Sequence, residues 1–197
     1  MSRQQMIISE TALAGAFTVD IDRLADNRGY FSRVLCVEEF AARGIHLRTV
    51  QANVSYNRSR GTMRGLHFQY PPAAEEKYVR CIRGAVTDVI VDLRPESPTW
   101  LKHVAIELSA ENGRGLYIPT RFAHGFVTLT DDTELLYFMG NAHTRGAEGG
   151  LRFDDPALAI GWPPVRVLSE RDTMWPHLSD VAGDIRARMT LPENTPA

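Results

Sequence analysis

Lys77-Tyr78-Val79-Arg80-Cys81-Ile82-Arg83-Gly84-Ala85-Val86-Thr87-Asp88-Val89-Ile90-Val91-Asp92-Leu93 reads as two strands, Lys77 to Ile82 and Ala85 to Leu93, split by Gly84. Working outward, the same pattern of short apolar runs cut by turn residues recurs. It gives strand candidates at Phe17 to Ile21, Tyr30 to Cys36, Leu47 to Ser55, Thr62 to Gln69, Lys102 to Leu108, Gly115 to Ile118, Phe122 to Thr130 and Thr133 to Met139. Many short strands at this spacing predict an all-β sandwich or barrel. Glu111-Asn112-Gly113 offers a residue tolerant of positive φ, and Asp131-Asp132 is short enough for a hairpin, so an antiparallel meander is expected. Helical signals are scarce. Val37 to Ala42, closed by Gly44, predicts a short helix, and Asp180 to Met189 a terminal one with Leu178 and Val181 packing inward. Asp154 to Pro164 reads as an ordered lid or rim, because Leu158, Ile160 and Trp162 must be buried; Pro192 to Ala197 reads as a frayed end.

The chain has 197 residues, enough for one domain with a sizeable core. With 44% hydrophobic and 23% charged residues it has the apolar content of a folded protein. Lys plus Arg number 22 against 24 Asp plus Glu, a formal charge of −2 that provides no general grip on nucleic acid or an anionic membrane. Apolar runs such as Leu135 to Met139 are too short to span a bilayer, and Met1-Ser2-Arg3-Gln4-Gln5 lacks the apolar core of a signal peptide, so a cytoplasmic location is expected. Cys36 and Cys81 sit among apolar residues, without the spacing of a zinc site, and read as buried fillers.

Polar residues inside strands carry the functional signal, because inward positions should be apolar unless the interior binds something. In Thr62 to Gln69, alternation puts His67 and Gln69 on one face and Arg64 on the other. Gly65 between them suits a bulge that would swing Arg64 and His67 to the same side. The plainer reading is an arginine paired with a carboxylate and a histidine satisfied at a rim. His124 shares its strand face with Phe122 and Phe126, as in an aromatic-walled cavity, although for His124 alone a core histidine bonded to backbone is the favoured reading. Leu135, Tyr137 and Met139 share a face, so the Tyr137 hydroxyl points into the interior if that face is inward. An inward Lys77 would need an anionic partner. Ser169-Glu170-Arg171-Asp172 reads as a helix cap or polar turn.

Taken together, an ordered set of motifs resembles the dTDP-4-dehydrorhamnose 3,5-epimerase family. The set is Asp26-Asn27-Arg28-Gly29-Tyr30-Phe31; Arg64-Gly65-Leu66-His67-Phe68-Gln69; Asp88 to Arg94 followed by Ser97-Pro98-Thr99; Ile118-Pro119 leading to Phe122-Ala123-His124-Gly125-Phe126; Asp154-Asp155-Pro156; and Ser169 to Asp172. The resemblance implies a cupin-type jelly roll as a single domain over residues 1–197, with a core of about 17–175 and a C-terminal extension at 176–197. It implies a homodimer with exchanged N-terminal strands, acting on a nucleotide-diphosphate 4-keto-6-deoxy sugar with no cofactor and no metal. A ketone at C4 acidifies the hydrogens on C3 and C5, so a base, an acid and an oxyanion partner suffice. By resemblance His67 is the base and Asp172 orients its ring and strengthens it as a base; Tyr137 returns a proton from the other side, and Lys77 faces the enolate oxygen. Arg64 would hold diphosphate or sugar oxygens, with Gln51, Asn53 and His124 lining the site. Arg28 and Phe31 would reach the partner's nucleotide, and Arg171 would stand where the family often carries lysine.

Several positions depart from the family pattern: Val54 stands for a frequent histidine, Arg33 for an acidic residue, Arg121 for glycine and Phe138 for a basic residue, and Ser55 to Arg64 is one residue longer. These are expected to alter the pocket rim. Two other readings compete: a cupin that binds a nucleotide sugar without turnover, and a metal-dependent cupin. The second is disfavoured because His67-Phe68-Gln69 lacks the second histidine of the cupin metal motif, leaving His67, His124 and Glu75 or Glu76 as ligands.

Overall fold

A computed structural model describes residues 5–191; the expected frayed end at Pro192 to Ala197 lies outside them. The strands are β1 (Ile7–Glu10), β2 (Phe17–Asp20), β3 (Leu24–Asp26), β4 (Gly29–Phe31), β5 (Gln51–Asn57), β6 (Met63–Gln69), β7 (Lys77–Arg83), β8 (Ala85–Asp92), β9 (His103–Ser109), β10 (Gly115–Ile118), β11 (Phe122–Thr128), β12 (Thr133–Met139) and β13 (Glu148–Gly150). The helices are α1 (Val37–Ala41), α2 (Glu170–Thr173) and α3 (Leu178–Met189). None of the described helices is long and apolar enough to cross a membrane.

The strands form a six-stranded sheet in the order β1-β2-β10-β7-β12-β5, a five-stranded sheet in the order β13-β6-β11-β8-β9, and a separate β3-β4 ribbon. Pairing within each sheet is antiparallel. This is the all-β jelly roll implied by the resemblance, and it corrects the meander. From β5 onward the chain passes repeatedly from one sheet to the other, so β11 and β12 lie in different sheets and Asp131-Asp132 is a corner, not a hairpin. Gly84 and Glu111-Asn112-Gly113 are crossings of the same kind, with Gly84 and Gly113 at φ +75° and +66°. The reason is burial: each strand has one apolar face, and facing sheets cover both. Val79, Cys81, Leu116, Ile118 and Leu135 of the first sheet meet Val86, Ile90, Leu108, Phe122 and Phe126 of the second.

Other expectations shift at their edges. Tyr30 to Cys36 shortens to β4, which pairs with β3; Leu47 to Ser55 starts at Gln51; and β1, β3 and β13 were not anticipated. α1 buries Phe40 beneath β1, β2, β7 and β10, and Gly44 closes it with φ +73°. α3 begins at Leu178, which is buried, and Val181 packs against the same cluster. The Asp154 to Pro164 loop does bury Leu158 and pack Ile160 and Trp162, but against Leu66, Phe68 and α3 on the outer face of the five-stranded sheet. It therefore seals a second apolar cluster and lines neither cavity described below.

Candidate active site

The site begins with a bulge. His67 pairs with His124 and Arg64 with Phe126, so three steps along β6 match two along β11. Gly65 makes this possible at φ +126°, where a Cβ would lie 2.5 Å from Gly125 Cα. The extra residue turns Arg64 and His67 into one cavity of about 310 Å³ between the sheets, which Lys77, His124 and Tyr137 also line. An adjoining cavity of about 200 Å³ shares His67, Asn53, Glu75 and Met139 and continues past Gln51, Gln69, His143, Glu148, Arg171 and Trp175.

Asp172 returns to His67 across 105 residues, its Oδ1 lying 2.5 Å from Nε2. The tail presents it through a helix start: Ser169 Oγ caps α2 by accepting from the Asp172 amide, and Asp172 is buried. Burial works against the charged carboxyl, but hydrogen bonds from His67, Ser169 and Trp175 outweigh it and hold Asp172 below the usual carboxylate range. A carboxylate only accepts, so the hydrogen sits on Nε2 and the His67 Nδ1 lone pair is left for chemistry. The Trp175 indole donates to the same Oδ1 at 3.4 Å and stands edge-on to His67, with ring centroids 6.0 Å apart. Arg171 lies over that indole at 5.4 Å.

On the facing wall, the Tyr137 hydroxyl makes no hydrogen bond to a described residue. Burial pushes its phenol well above the ordinary value; Asp88 adds to the rise and Arg64 opposes it. Tyr137 therefore rests protonated, with its proton available to a ligand. Lys77 is buried and meets the anionic partner that an inward lysine requires, Glu75 at 3.0 Å. His124 is buried too, but its partner is a side chain and not backbone: Nε2 meets both oxygens of the fully buried Asp88 at 3.0 and 2.9 Å. Arg64 is aimed by Asn57, whose Oδ1 accepts from Nε at 2.7 Å, and by the Tyr56 carbonyl.

Arg28 and Phe31 are not brought to this site. They lie exposed on the β3-β4 ribbon, where Arg28 pairs with Asp26 at 2.5 Å, and line neither of the two cavities just described. Of the departing positions only Val54 faces the site. Arg33 pairs with Glu39, Phe138 stacks on Tyr78, and buried Arg121 binds the Met189 carbonyl and Glu96, fastening the end of α3. The expectation that all four reshape the rim is corrected accordingly; on β12 Phe138 occupies the face opposite Tyr137. Asp88, Glu75, Asn57, His143, Glu148 and Trp175 were not picked out as working parts of the site. Asp88 had a signal, a charge inside Ala85 to Val91 where a buried strand should be apolar.

The sequence profile of the dTDP-4-dehydrorhamnose 3,5-epimerase family matches residues 10–180. The chain belongs to this family. Among its relatives, the dTDP-4-dehydrorhamnose 3,5-epimerase of Sinorhizobium fredii is 42% identical over 179 residues, 90% of this chain and 92% of that one. The dTDP-4-dehydrorhamnose 3-epimerase of Streptomyces niveus is 38% identical over 169 residues, 85% of this chain and 81% of that one. The crystal structure of dTDP-4-dehydrorhamnose 3,5-epimerase from Bacillus anthracis with TDP and PPi bound superposes with a TM-score of 0.86 at 38% identity, covering 88% of this chain and all of that one. An epimerase fold thus surrounds a cavity in which an imidazole with a free nitrogen, a neutral phenol and an ammonium face one another.

Proposed function

We propose that this chain epimerises a nucleotide-linked 4-keto-6-deoxyhexose, dTDP-4-dehydro-6-deoxy-D-glucose in the first instance, at C3 and C5. One observation carries the reading: the His67 imidazole, clamped through Nε2 by Asp172, opens into the same cavity as the unpaired Tyr137 hydroxyl. Nδ1 of His67 takes the proton from C3. The C–H pair becomes a C3–C4 π bond and the carbonyl pair moves onto O4, where the Lys77 ammonium meets the developing charge. The Tyr137 O–H then delivers its proton to the opposite face of C3, and the O4 pair re-forms the carbonyl. Solvent carries the imidazolium proton away and reprotonates the phenolate; the same sequence at C5 inverts that centre. Each step is a proton transfer, so no electron acceptor is required.

Arg64 and Arg171 supply cations for the diphosphate, with Gln51, Asn53 and His124 as further polar contacts. The protein acts as a homodimer in which the Arg28–Phe31 ribbon of one copy covers the nucleotide end of the other's site. Support for this is the exposed Tyr30 and Phe31 on a ribbon that lines neither of the two cavities holding His67 in its own chain. Cys36 and Cys81 are both free thiols, which suits the cytoplasm.

The test is incubation with the dTDP-, CDP- and GDP-linked 4-keto-6-deoxyglucoses in heavy water, with the sugar followed by NMR. Deuterium enters C3 and C5 of the preferred substrate, and His67→Ala abolishes the exchange. Intact protein that exchanges neither position in any of the three would overturn the proposal.

A further inference from the structure

Glu75 has no part in the reaction as written, yet it lines both cavities and is the described side chain that meets the Lys77 ammonium. Both of its carboxylate oxygens are committed. Oε1 lies 3.0 Å from Lys77 Nζ, and Oε2 accepts from Gln69 Nε2 at 2.9 Å. Gln69 is itself immobilised: the Ala73 and Ala142 carbonyls also lie 3.0 and 3.2 Å from Nε2, whose two hydrogens are shared among the three acceptors, while Oε1 accepts from the Thr144 amide at 2.6 Å. All three side chains are buried apart from the atoms that face the cavities, so a lost partner leaves a polar group to be satisfied from the cavity alone.

We propose that Glu75 is a positioning residue for the epimerisation, holding the Lys77 ammonium at the cavity wall while Gln69 holds Glu75. The inference rests on the reading of Lys77 as the partner of the enolate oxygen. A lysine side chain is a point charge on a flexible stem, and it stabilises a transition state only where it is fixed before the charge develops. Glu75 engages one of the three ammonium donors and leaves two for the cavity. Its negative charge also offsets part of the ammonium's field, so the experiment weighs fixation against that loss.

Glu75→Ala and Glu75→Gln are made alone and in a Lys77→Met background, with deuterium exchange followed for days so that slow residual turnover is counted. The amide keeps the volume of Glu75 but gives up its charge and one of its two acceptor oxygens. Alone, each variant lowers kcat at least tenfold while KM changes less than threefold; in the Lys77→Met background each changes the residual rate less than twofold. Retained kcat, faster turnover, or a drop that persists without Lys77 would overturn the inference. If Glu75→Ala does not fold, Glu75→Gln decides by the same criteria. An inactive wild-type protein would instead strike at the proposed function, which separates the two failures.

Discussion

Replacing Asp172 by Asn tests whether the His67 proton sits where the geometry requires. Two hydrogens converge on Asp172 Oδ1, from His67 Nε2 at 2.5 Å and from the Trp175 indole at 3.4 Å. In Asp172→Asn the amide oxygen therefore keeps the Oδ1 place, since the NH₂ group would oppose both donors. The ring tautomer survives and Nδ1 can still accept a proton. What is lost is the charge on the acceptor, the difference between a charge-assisted and a neutral hydrogen bond, about 1–2 kcal/mol. That corresponds to a fall in kcat of about 5- to 30-fold. Trp175→Phe alone removes only the long indole bond and costs about threefold or less, a loss below about 0.7 kcal/mol. Combined with Asp172→Asn it frees the amide to turn its NH₂ toward Nε2, which drives the hydrogen to Nδ1 and blocks the base. Loss on reversing a catalytic imidazole in this way is on the order of 10⁴. Initial rates of deuterium entry at C3 give the four values, with melting curves to establish that each variant is folded. An Asp172→Asn variant already down 10⁴-fold with Trp175 present, or a double variant no slower than the product of the singles, would refute the reasoning.

Tyr137→Phe is expected to retain deuterium exchange at the abstracted position while losing inversion; NMR of the product stereochemistry checks it, and unimpaired inversion would remove Tyr137 as the acid. Gly65→Ala places a Cβ 2.5 Å from Gly125 Cα and 2.8 Å from the His124 carbonyl at φ +126°, a cost of about 3–5 kcal/mol; urea unfolding reads it as a lower midpoint. Asp92 is fully buried, and although burial opposes its charge, Arg94, Ser97 and Thr99 hold it below the ordinary carboxylate value, as His67 does for Asp172. Both carboxyls are depressed in the folded state, so their contribution is complete above about pH 5, begins to be lost near pH 4, and is gone once pH falls below their folded-state values. Thermal melts across that range should therefore drop more steeply for wild type than for Asp92→Asn. Arg28→Ala should raise KM severalfold with kcat held, and it should do so without altering sedimentation; an unchanged KM would dissociate the ribbon from substrate binding.

Much of the site was legible because strand periodicity is a local property. Alternation along Thr133 to Met139 put Tyr137 on one face with Leu135 and Met139, the face that the fold turns inward; a glycine within Thr62 to Gln69 suited the bulge, and Ser169 three residues before Asp172 suited a cap or a polar turn, of which the structure has the cap. Motif order supplied what periodicity could not, namely which histidine is the one proposed as base. Local pattern failed where the partner is distant. Asp131-Asp132 has hairpin chemistry, yet β11 and β12 separate because their apolar faces are needed in different sheets. Arg121, placed by motif at the rim, turns away and fastens α3, a contact across 68 residues. Glu75, weighed in the sequence only as a metal ligand, and Asp88, seen there only as part of a motif, gain their partners when Lys77 and His124 are seen against them.

The sequence by itself determined the all-β class, most strands of the two sheets, the polar positions that share a strand face and the resemblance to an epimerase family, because side-chain alternation, turn chemistry and motif order are written along the chain. Only the tertiary structure decided which sheet each strand joins and which carboxylates meet Lys77 and His124. Those choices follow from covering the apolar strand faces together and from giving buried charges polar partners, conditions that bind residues as far apart as Asp88 and His124 and have no expression in any short segment.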